Sequence, residues 1–248
     1  MSPRSLVITG ANRGIGLGLV RQLLKNQEIE ILIATTRNVE NSKDLNAIQD
    51  PRLHVLPLET TNDLSIDAFV AKVDGIVGDN GLNLLINNAG VLLPYENISR
   101  SLIDEQLSVN TTSTVILTQK LLPLLKRASS KFPDDATLSP SRSAIINISS
   151  LLGSIARNDS GSHVYSVLAY RMSKAALNQF TKTLSIDLKP HNILVVSFCP
   201  GWVKTDLGGQ EAFFTVEQST TDLASSFGKL GETHNGGFFS KTLEPIDW

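Results

Sequence analysis

Tyr170 and Lys174 stand four residues apart in Tyr170-Arg171-Met172-Ser173-Lys174. On a helix that spacing puts both on one face, about one turn from each other. A phenol of ordinary pKa, about 10, is a poor proton donor or acceptor at neutral pH. A fixed ammonium close by favours the phenolate and lowers such a pKa by roughly 1–3 units. That shift brings the group toward the range where proton transfer near pH 7 is efficient. The pair is therefore a candidate general acid/base. The same spacing also arises on solvated helices, so the chemistry depends on what converges beside it.

A second candidate lies at the start of the chain. Ser5-Leu6-Val7-Ile8-Thr9 is an apolar run suited to a strand buried on both faces. It leads into Gly10-Ala11-Asn12-Arg13-Gly14-Ile15-Gly16 and then a helical pattern through Leu19, Val20, Leu23 and Leu24. Strand, glycine-rich turn and helix make a phosphate cradle, because glycines admit close backbone approach and the helix N-terminus presents free N–H groups. Gly10, Asn12, Arg13, Gly14, Ile15 and Gly16 form that cradle. The spacing is Gly-x-x-x-Gly-x-Gly rather than the usual G-x-G-x-x-G. Ile29 to Thr36 reads as the next strand, and past it NAD-binding chains carry an acidic residue for the ribose 2′-hydroxyl. Here the segment reads Ala34-Thr35-Thr36-Arg37. Arg37 suits a 2′-phosphate, with Arg13 as a helper, so the expected cofactor is NADPH.

The remaining elements must bring these groups together. Strands are expected at Leu53–Leu58, ending in Glu59-Thr60, at Leu82–Ile86, at Ala144–Ile148, at Ile193–Phe198 and, last and short, at Gly237–Ser240. Helices are expected at Leu64–Val77, from Ser99 to about Arg127, at Ala169–Leu188 and at Val216–Leu230. Asn87-Asn88-Ala89-Gly90, Ser149-Ser150 and Cys199-Pro200-Gly201-Trp202-Val203-Lys204-Thr205-Asp206 follow strand ends. Asn110-Thr111-Thr112-Ser113-Thr114 is a polar cluster inside an otherwise apolar helix, where Asn and Thr are poor choices. It implies a kink or a functional reason, and Pro123 should bend or end the same helix. Ala128 to Ser143, with Pro133 and Pro140, reads as a polar surface excursion.

Strand and helix alternate throughout with no change of composition. The expectation is one doubly wound α/β domain over residues 1–248, a mostly parallel seven-stranded sheet with helices on both faces, a Rossmann fold. Ligand crevices in such sheets lie beyond the strands' carboxyl ends. The chain's 248 residues, 41% hydrophobic and 19% charged, describe an ordinary soluble protein. A net charge of -2 gives no basic field for nucleic acid or anionic membrane. The single cysteine, Cys199, excludes an internal disulfide, and four scattered histidines show no metal-ligand spacing. No apolar run approaches the roughly 18 residues of a membrane span, and no signal-peptide pattern opens the chain. A cytoplasmic protein is expected.

Taken in order, Thr9-Gly10-x-x-x-Gly14-x-Gly16, Asn87-Asn88-Ala89-Gly90, Asn110, Ser150, Tyr170-x-x-x-Lys174 and Pro200-Gly201 resemble the short-chain dehydrogenase/reductase superfamily across nearly the whole chain. Gly10 to Gly18 and Pro200-Gly201-Trp202-Val203-x-Thr205-Asp206 look like its sniffer-like carbonyl reductases and the related bacterial C-signal proteins. The resemblance implies an NADPH-dependent reductase of aldehydes, ketones or quinones. Tyr170 would give its proton to the carbonyl oxygen, Lys174 would lower the phenol's pKa and bind the nicotinamide ribose, Ser150 would orient the carbonyl, and Asn110 would hold a water in a proton relay. Asn88, Ala89 and Gly90 would lie along the cofactor, with Asn88 on its adenosine side. Pro200, Gly201, Val203 and Thr205 would clasp its carboxamide and pyrophosphate. Glu59 departs from the family's Asp, which puts the adenine contact of Glu59-Thr60 in doubt. Tyr165 is a decoy, because Ala169 stands four residues beyond it. Substrate loops are expected at about 151–169, with a flexible tip at Ser160-Gly161-Ser162, and at 206–215. The two long helices suggest a homodimer. A nucleotide-binding redox sensor acting through a protein partner is the alternative, and such proteins commonly lose the tyrosine or lysine. A sugar-nucleotide epimerase would need more chain after Asp206.

Overall fold

The computed structural model describes residues 2–132, 137–162 and 166–248. Seven strands, β1 (Ser5–Ile8), β2 (Ile31–Thr36), β3 (Leu53–Pro57), β4 (Leu84–Asn87), β5 (Ala144–Ile148), β6 (Leu194–Cys199) and β7 (Phe238–Ser240), form one sheet in the order β3-β2-β1-β4-β5-β6-β7. Every pairing between these seven strands is parallel, and one isolated antiparallel bridge joins Phe239 of β7 to Pro245. The order reverses between β1 and β4, which opens a crevice at their carboxyl ends.

Alternation along each strand sends side chains to opposite faces. Leu6, Ile8, Leu32, Ala34, Leu84, Ile86, Ile146, Val196 and Phe198 pack on one face, and Val7, Ile33, Leu85, Ile145 and Val195 on the other. α1 (Gly14–Leu23) and α7 (Val216–Phe227) cover the first face through Leu17, Val20, Leu23, Leu223 and Phe227. α3 (Asp63–Val77), α5 (Ser113–Ser129) and α6 (Leu168–Asp187) cover the second through Phe69, Val73, Leu117, Leu121, Leu124 and Leu184. Burial on both faces is why the strands read as continuous apolar runs. Each such Val, Leu, Ile or Phe side chain contributes about 1.5–3 kcal/mol. α2 (Lys43–Asn46), a single turn buried through Leu45, carried no periodic signal in the sequence.

The long helix expected from Ser99 is two helices, α4 (Arg100–Leu107) and α5, joined by a π-turn at Ser108–Thr112. The polar cluster thus breaks the α-helical ladder. Pro123 does not end α5, which runs six residues further. Pro123 faces solvent while Leu121, Leu124 and Leu125 beside it are buried, so core packing outweighs one missing hydrogen bond. The last helix stops at Phe227, short of Leu230. The segment after α5 is no simple surface excursion: Leu138 joins the core at 2% exposure. Buried Arg142 ties back there, Nε donating to Ser129 Oγ (2.9 Å) and Nη2 to the Phe132 carbonyl (2.8 Å). Pro133 and Tyr165 lie outside the described residues. No helix among the described residues is long and apolar enough to cross a membrane.

Candidate active site

α6 presents Tyr170, Ser173, Lys174, Leu177, Asn178 and Thr181 to the interior at helical spacing. Tyr170 is 7% exposed and Lys174 4%. Lys174 Nζ donates to the carbonyl of Ile148, the last residue of β5, at 2.9 Å. It also lies over the Tyr170 ring, 5.7 Å from the centroid. The turn Leu151–Gly153 rests on the lysine stem because Gly153 has no side chain; a Cβ there would meet Lys174 Cβ at 2.8 Å. Ser150 heads that turn, accepting from Leu152 N–H at 3.2 Å, and its hydroxyl lies near enough to the Tyr170 phenol to favour the phenolate. Behind both, Cys199 Sγ accepts from Leu151 N–H at 3.2 Å.

Burial dominates the electrostatics. It pushes the Tyr170 phenol well above its ordinary value, the Cys199 thiol adds to that, and the Ser150 hydrogen bond pulls only partly back. Burial brings Lys174 down to about 8, with Cys199 opposing. Burial also raises the Cys199 thiol, against its backbone donors at Gly201 and Leu151 and the charge of Lys174. The expected lowering of the phenol by Lys174 is therefore not the outcome here. The ammonium is turned to Ile148 and itself destabilised by burial, so the phenol stays protonated at neutral pH.

Asn110 sits in the π-turn at 0% exposure. Its Oδ1 accepts from Val91 N–H, its Nδ2 donates to the Val91 carbonyl, both at 2.8 Å, and Nδ2 also donates to Ser173 Oγ at 3.0 Å. The side chain is a clamp between the segment after β4 and α6. The side chain is thus spent, and Thr114 Oγ1 stands 3.5 Å from the main-chain carbonyl.

The glycine turn meets this group from the other side of the switch point. Arg13 caps α1 with no side-chain bond, and no acidic residue occupies the first turn. The first N–H groups and the positive dipole end are left for an anion. The turn is tight: a Cβ on Gly16 would lie 2.3 Å from the Gly10 carbonyl oxygen, and Gly10 itself, at φ +64, abuts Ala89 Cα. Asn88 Nδ2 donates to the carbonyls of Thr9 (2.8 Å) and Gly10 (3.0 Å), so its amide holds the cradle. Thr9 Oγ1, from the first residue of the glycine motif, accepts from the N–H groups of Asn88 and Ala89, both at 2.9 Å. Asn12 and Ile15 are half-buried on the same turn. Asn87 bridges strands, donating to Asn147 Oδ1 (2.8 Å) and Thr118 Oγ1 (3.1 Å). A Cβ on Gly90 would stand 3.6 Å from Lys174 Nζ, so its absence keeps the approach to the ammonium open.

Arg37 is exposed on a turn built by Thr36 Oγ1 and Ser42 Oγ, 2.8 Å apart, and makes no ion pair among the described residues. Arg13 is engaged instead, Nη1 pairing with Asp206. Glu59 accepts from its neighbour Thr61, N–H at 3.3 Å and Oγ1 at 3.0 Å, and so caps its own turn. Thr60 is half-buried beside it. Pro200 is fixed through its carbonyl by Ser219 Oγ at 2.7 Å. A bridge from Val203 to Phe214 closes the following loop, and Thr205 lies against Gly14. Gly201 turns there at φ +82. Trp202 and Phe213 meet edge to face at 5.1 Å above it. No group of three metal-ligating side chains occurs among the described residues. Cys199 and the Arg13–Asp206 pair escaped the sequence reading, because neither residue type carries a spacing signal of its own.

The family described as short chain dehydrogenase matches residues 4–212. Among solved structures, Sniffer of Caenorhabditis elegans is 58% identical and covers 100% of both chains at a TM-score of 0.93. The carbonyl reductase Sniffer of D. melanogaster is 41% identical over 99% of this chain and 100% of its own, at 0.94. An NADPH-bound carbonyl reductase from chicken fatty liver is 38% identical over 100% and 95%, at 0.95. Among curated proteins, the C-signal of Myxococcus xanthus is 29% identical over 175 residues, 67% of this chain and 93% of its own.

Proposed function

The chain belongs to the short chain dehydrogenase family, in its sniffer-like branch, and from that premise we infer that it is an NADPH-dependent carbonyl reductase of aldehydes, ketones or quinones. The observation that carries this is one crevice holding buried Tyr170 near Ser150, with Lys174 one turn on against the Tyr170 ring and an uncapped helix N-terminus opposite. The residues fit the cofactor: Gly10 and Gly16 leave no room for a Cβ, so backbone alone faces the anion. Gly10, Asn12, Arg13, Gly14, Ile15 and Gly16 would hold the pyrophosphate. Arg37, free of any ion pair among the described residues, would hold the 2′-phosphate. Thr60, Asn88, Ala89, Gly90, Pro200, Gly201, Val203 and Thr205 would line the rest, whereas Glu59 is turned to Thr61.

When bound, NADPH supplies the hydride. Tyr170 then releases its proton from Oη to the carbonyl oxygen that Ser150 orients. The phenol's raised pKa keeps that proton in place until negative charge develops on the substrate. Lys174 holds the ribose and balances the phenolate left behind, and the Asn110 carbonyl and a water return the proton. Of the segments expected at about 151–169 and 206–215, the described residues 151–162, 166–169 and 206–215 would wall the substrate, with the exposed Trp202–Phe213 pair offering an apolar face. The reading includes a cytoplasmic protein and a homodimer formed near Leu102–Leu125, in α4 and α5, and Ala169–Leu188, in α6, where Met172 is exposed.

The test is oxidation of NADPH and NADH by the purified chain against quinones, aldehydes and ketones. Turnover with NADPH is expected. Tight NADPH binding with no turnover on any of them would replace the reductase by a sensor.

A further inference from the structure

Arg171 follows Tyr170 on α6 but has no part in the reaction above. It is 7% exposed. Its Nη2 donates to Ser160 Oγ at 2.9 Å, and its Nε is buried with no partner. No carboxylate among the described residues pairs with it. A guanidinium withdrawn from water with one neutral acceptor is poorly compensated. The other buried arginine, Arg142, also leaves one nitrogen, Nη1, unpartnered, but it has two acceptors, Ser129 Oγ for Nε and the Phe132 carbonyl for Nη2.

Ser160 is exposed at the tip of the loop between β5 and α6. The tip is shaped by Asn158 Oδ1 accepting from Gly161 N–H at 3.1 Å. The loop is anchored behind, Ser154 Oγ donating to the Asp247 carbonyl (2.6 Å) and Ala156 N–H to the Trp248 carbonyl (2.8 Å). Arg157, three residues before Ser160, is exposed, as is Asp159, which pairs with nothing among the described residues. Asp159, the neighbour of Ser160 in the chain, thus leaves Arg171 uncompensated. The tip combines a reachable hydroxyl, a cation at a spacing that basophilic kinases read, and a buried cation already within hydrogen-bond distance.

We propose that Ser160 is a phosphorylation site whose phosphate seats on Arg171. Ser160 Oγ attacks the γ-phosphorus of a nucleoside triphosphate held by a protein kinase. The bond from that phosphorus to the β-phosphate oxygen breaks, the nucleoside diphosphate leaves, and the hydroxyl proton passes through the kinase's base to water. The new group carries about -1.5 to -2 charges and three acceptor oxygens, enough to engage Nη2 and the unpartnered Nε together. It ties the loop to α6 one residue from Tyr170, changing the mobility of the wall and not the acid itself.

The test compares protein carrying phosphoserine at 160 with unmodified protein. Trypsin cleavage after Arg157 is expected to slow by roughly fivefold or more. By phosphorus NMR the phosphate's second pKa is expected to fall by roughly 0.5–1 unit against the same chain in urea. Arg171→Lys should weaken both effects, and urea removes the seat without relying on a variant that folds. Unchanged cleavage with a phosphate that titrates as in urea overturns the seat. A basophilic serine kinase with ATP should label the native chain but not Ser160→Ala; labelling of a 154–166 peptide without labelling of the native chain overturns the site.

Discussion

Lys174 Nζ is held by the Ile148 carbonyl at 2.9 Å and looks onto the Tyr170 ring from 5.7 Å. The lysine therefore joins the end of β5 to the tyrosine's helix, and burial acts on both groups in opposite directions. The phenol is pushed up and the ammonium down to about 8. At pH 7 this leaves a neutral acid beside a cation, the ionisation state that carbonyl reduction requires.

Tyr170→Phe keeps the ring and its packing and removes the transferable proton. Turnover with NADPH is expected to fall by about 10²–10⁴-fold, while NADPH binding, measured by fluorescence titration, changes little. Wild-type turnover in this variant would end the assignment of Tyr170 as acid.

Lys174 gives two pH signatures. Its ammonium is present below about 8, so turnover should decline as pH rises through that value, and Lys174→Met should be slow and lack the limb. For stability, the folded-state pKa lies below the ordinary 10.5, so between about 8 and 10.5 the unfolded chain binds more protons and stability rises with pH. Below about 8 the folded chain bears the full cost of the buried charge. Lys174→Met should therefore melt no lower than wild type at pH 7, and its advantage should shrink by pH 9.5. A large loss of stability at pH 7 would show that the Ile148 bond outweighs burial.

The fold was legible because strands buried on both faces leave unbroken runs such as Leu194–Cys199, and because Gly10, Gly14 and Gly16 mark where backbone must turn. Tyr170 and Lys174 stood out by type and spacing, and the family resemblance added Ser150 and Asn110 to the quartet proposed here as catalytic. What the sequence hid are consequences of packing. Asn110 in a helix announces a disturbance, but only the contact with Val91 shows a clamp. Cys199 looks like one more buried residue until its sulfur meets Leu151. A neighbouring ammonium promises a lowered phenol, and only the depth of the site shows that desolvation wins. Pro123 looks like a stop, but its exposed position on α5 makes it harmless.

Arg37 stands on a turn already built by Thr36 and Ser42, with no acid to displace. Arg37→Asp should weaken NADPH by more than about 1.4 kcal/mol relative to NADH, a tenfold change in preference. Parallel titrations with the two cofactors measure it. An unchanged ratio would leave Arg37 as ordinary surface and pass the 2′-phosphate to Arg13, freed from Asp206.

Gly16 and Gly75 offer a matched pair. Both are helical glycines, but a Cβ on Gly16 would meet the Gly10 carbonyl oxygen at 2.3 Å and Asn88 Nδ2 at 2.6 Å, while one on Gly75 meets nothing within 4 Å. The carbonyl cannot retreat without opening the turn that Asn88 fastens. Gly16→Ala should destabilise the chain by about 1–3 kcal/mol, lowering Tm by roughly 2–10 °C in a chain of this size. Gly75→Ala should be neutral or stabilising by up to about 1 kcal/mol, since alanine is the better helix former. Saturating NADPH should raise Tm less in Gly16→Ala than in wild type, because a spread cradle binds the anion more weakly. Equal melting of the two variants, with equal gains from NADPH, would mean that the turn is looser than its contacts and that the backbone of Gly10 does not shape the anion site.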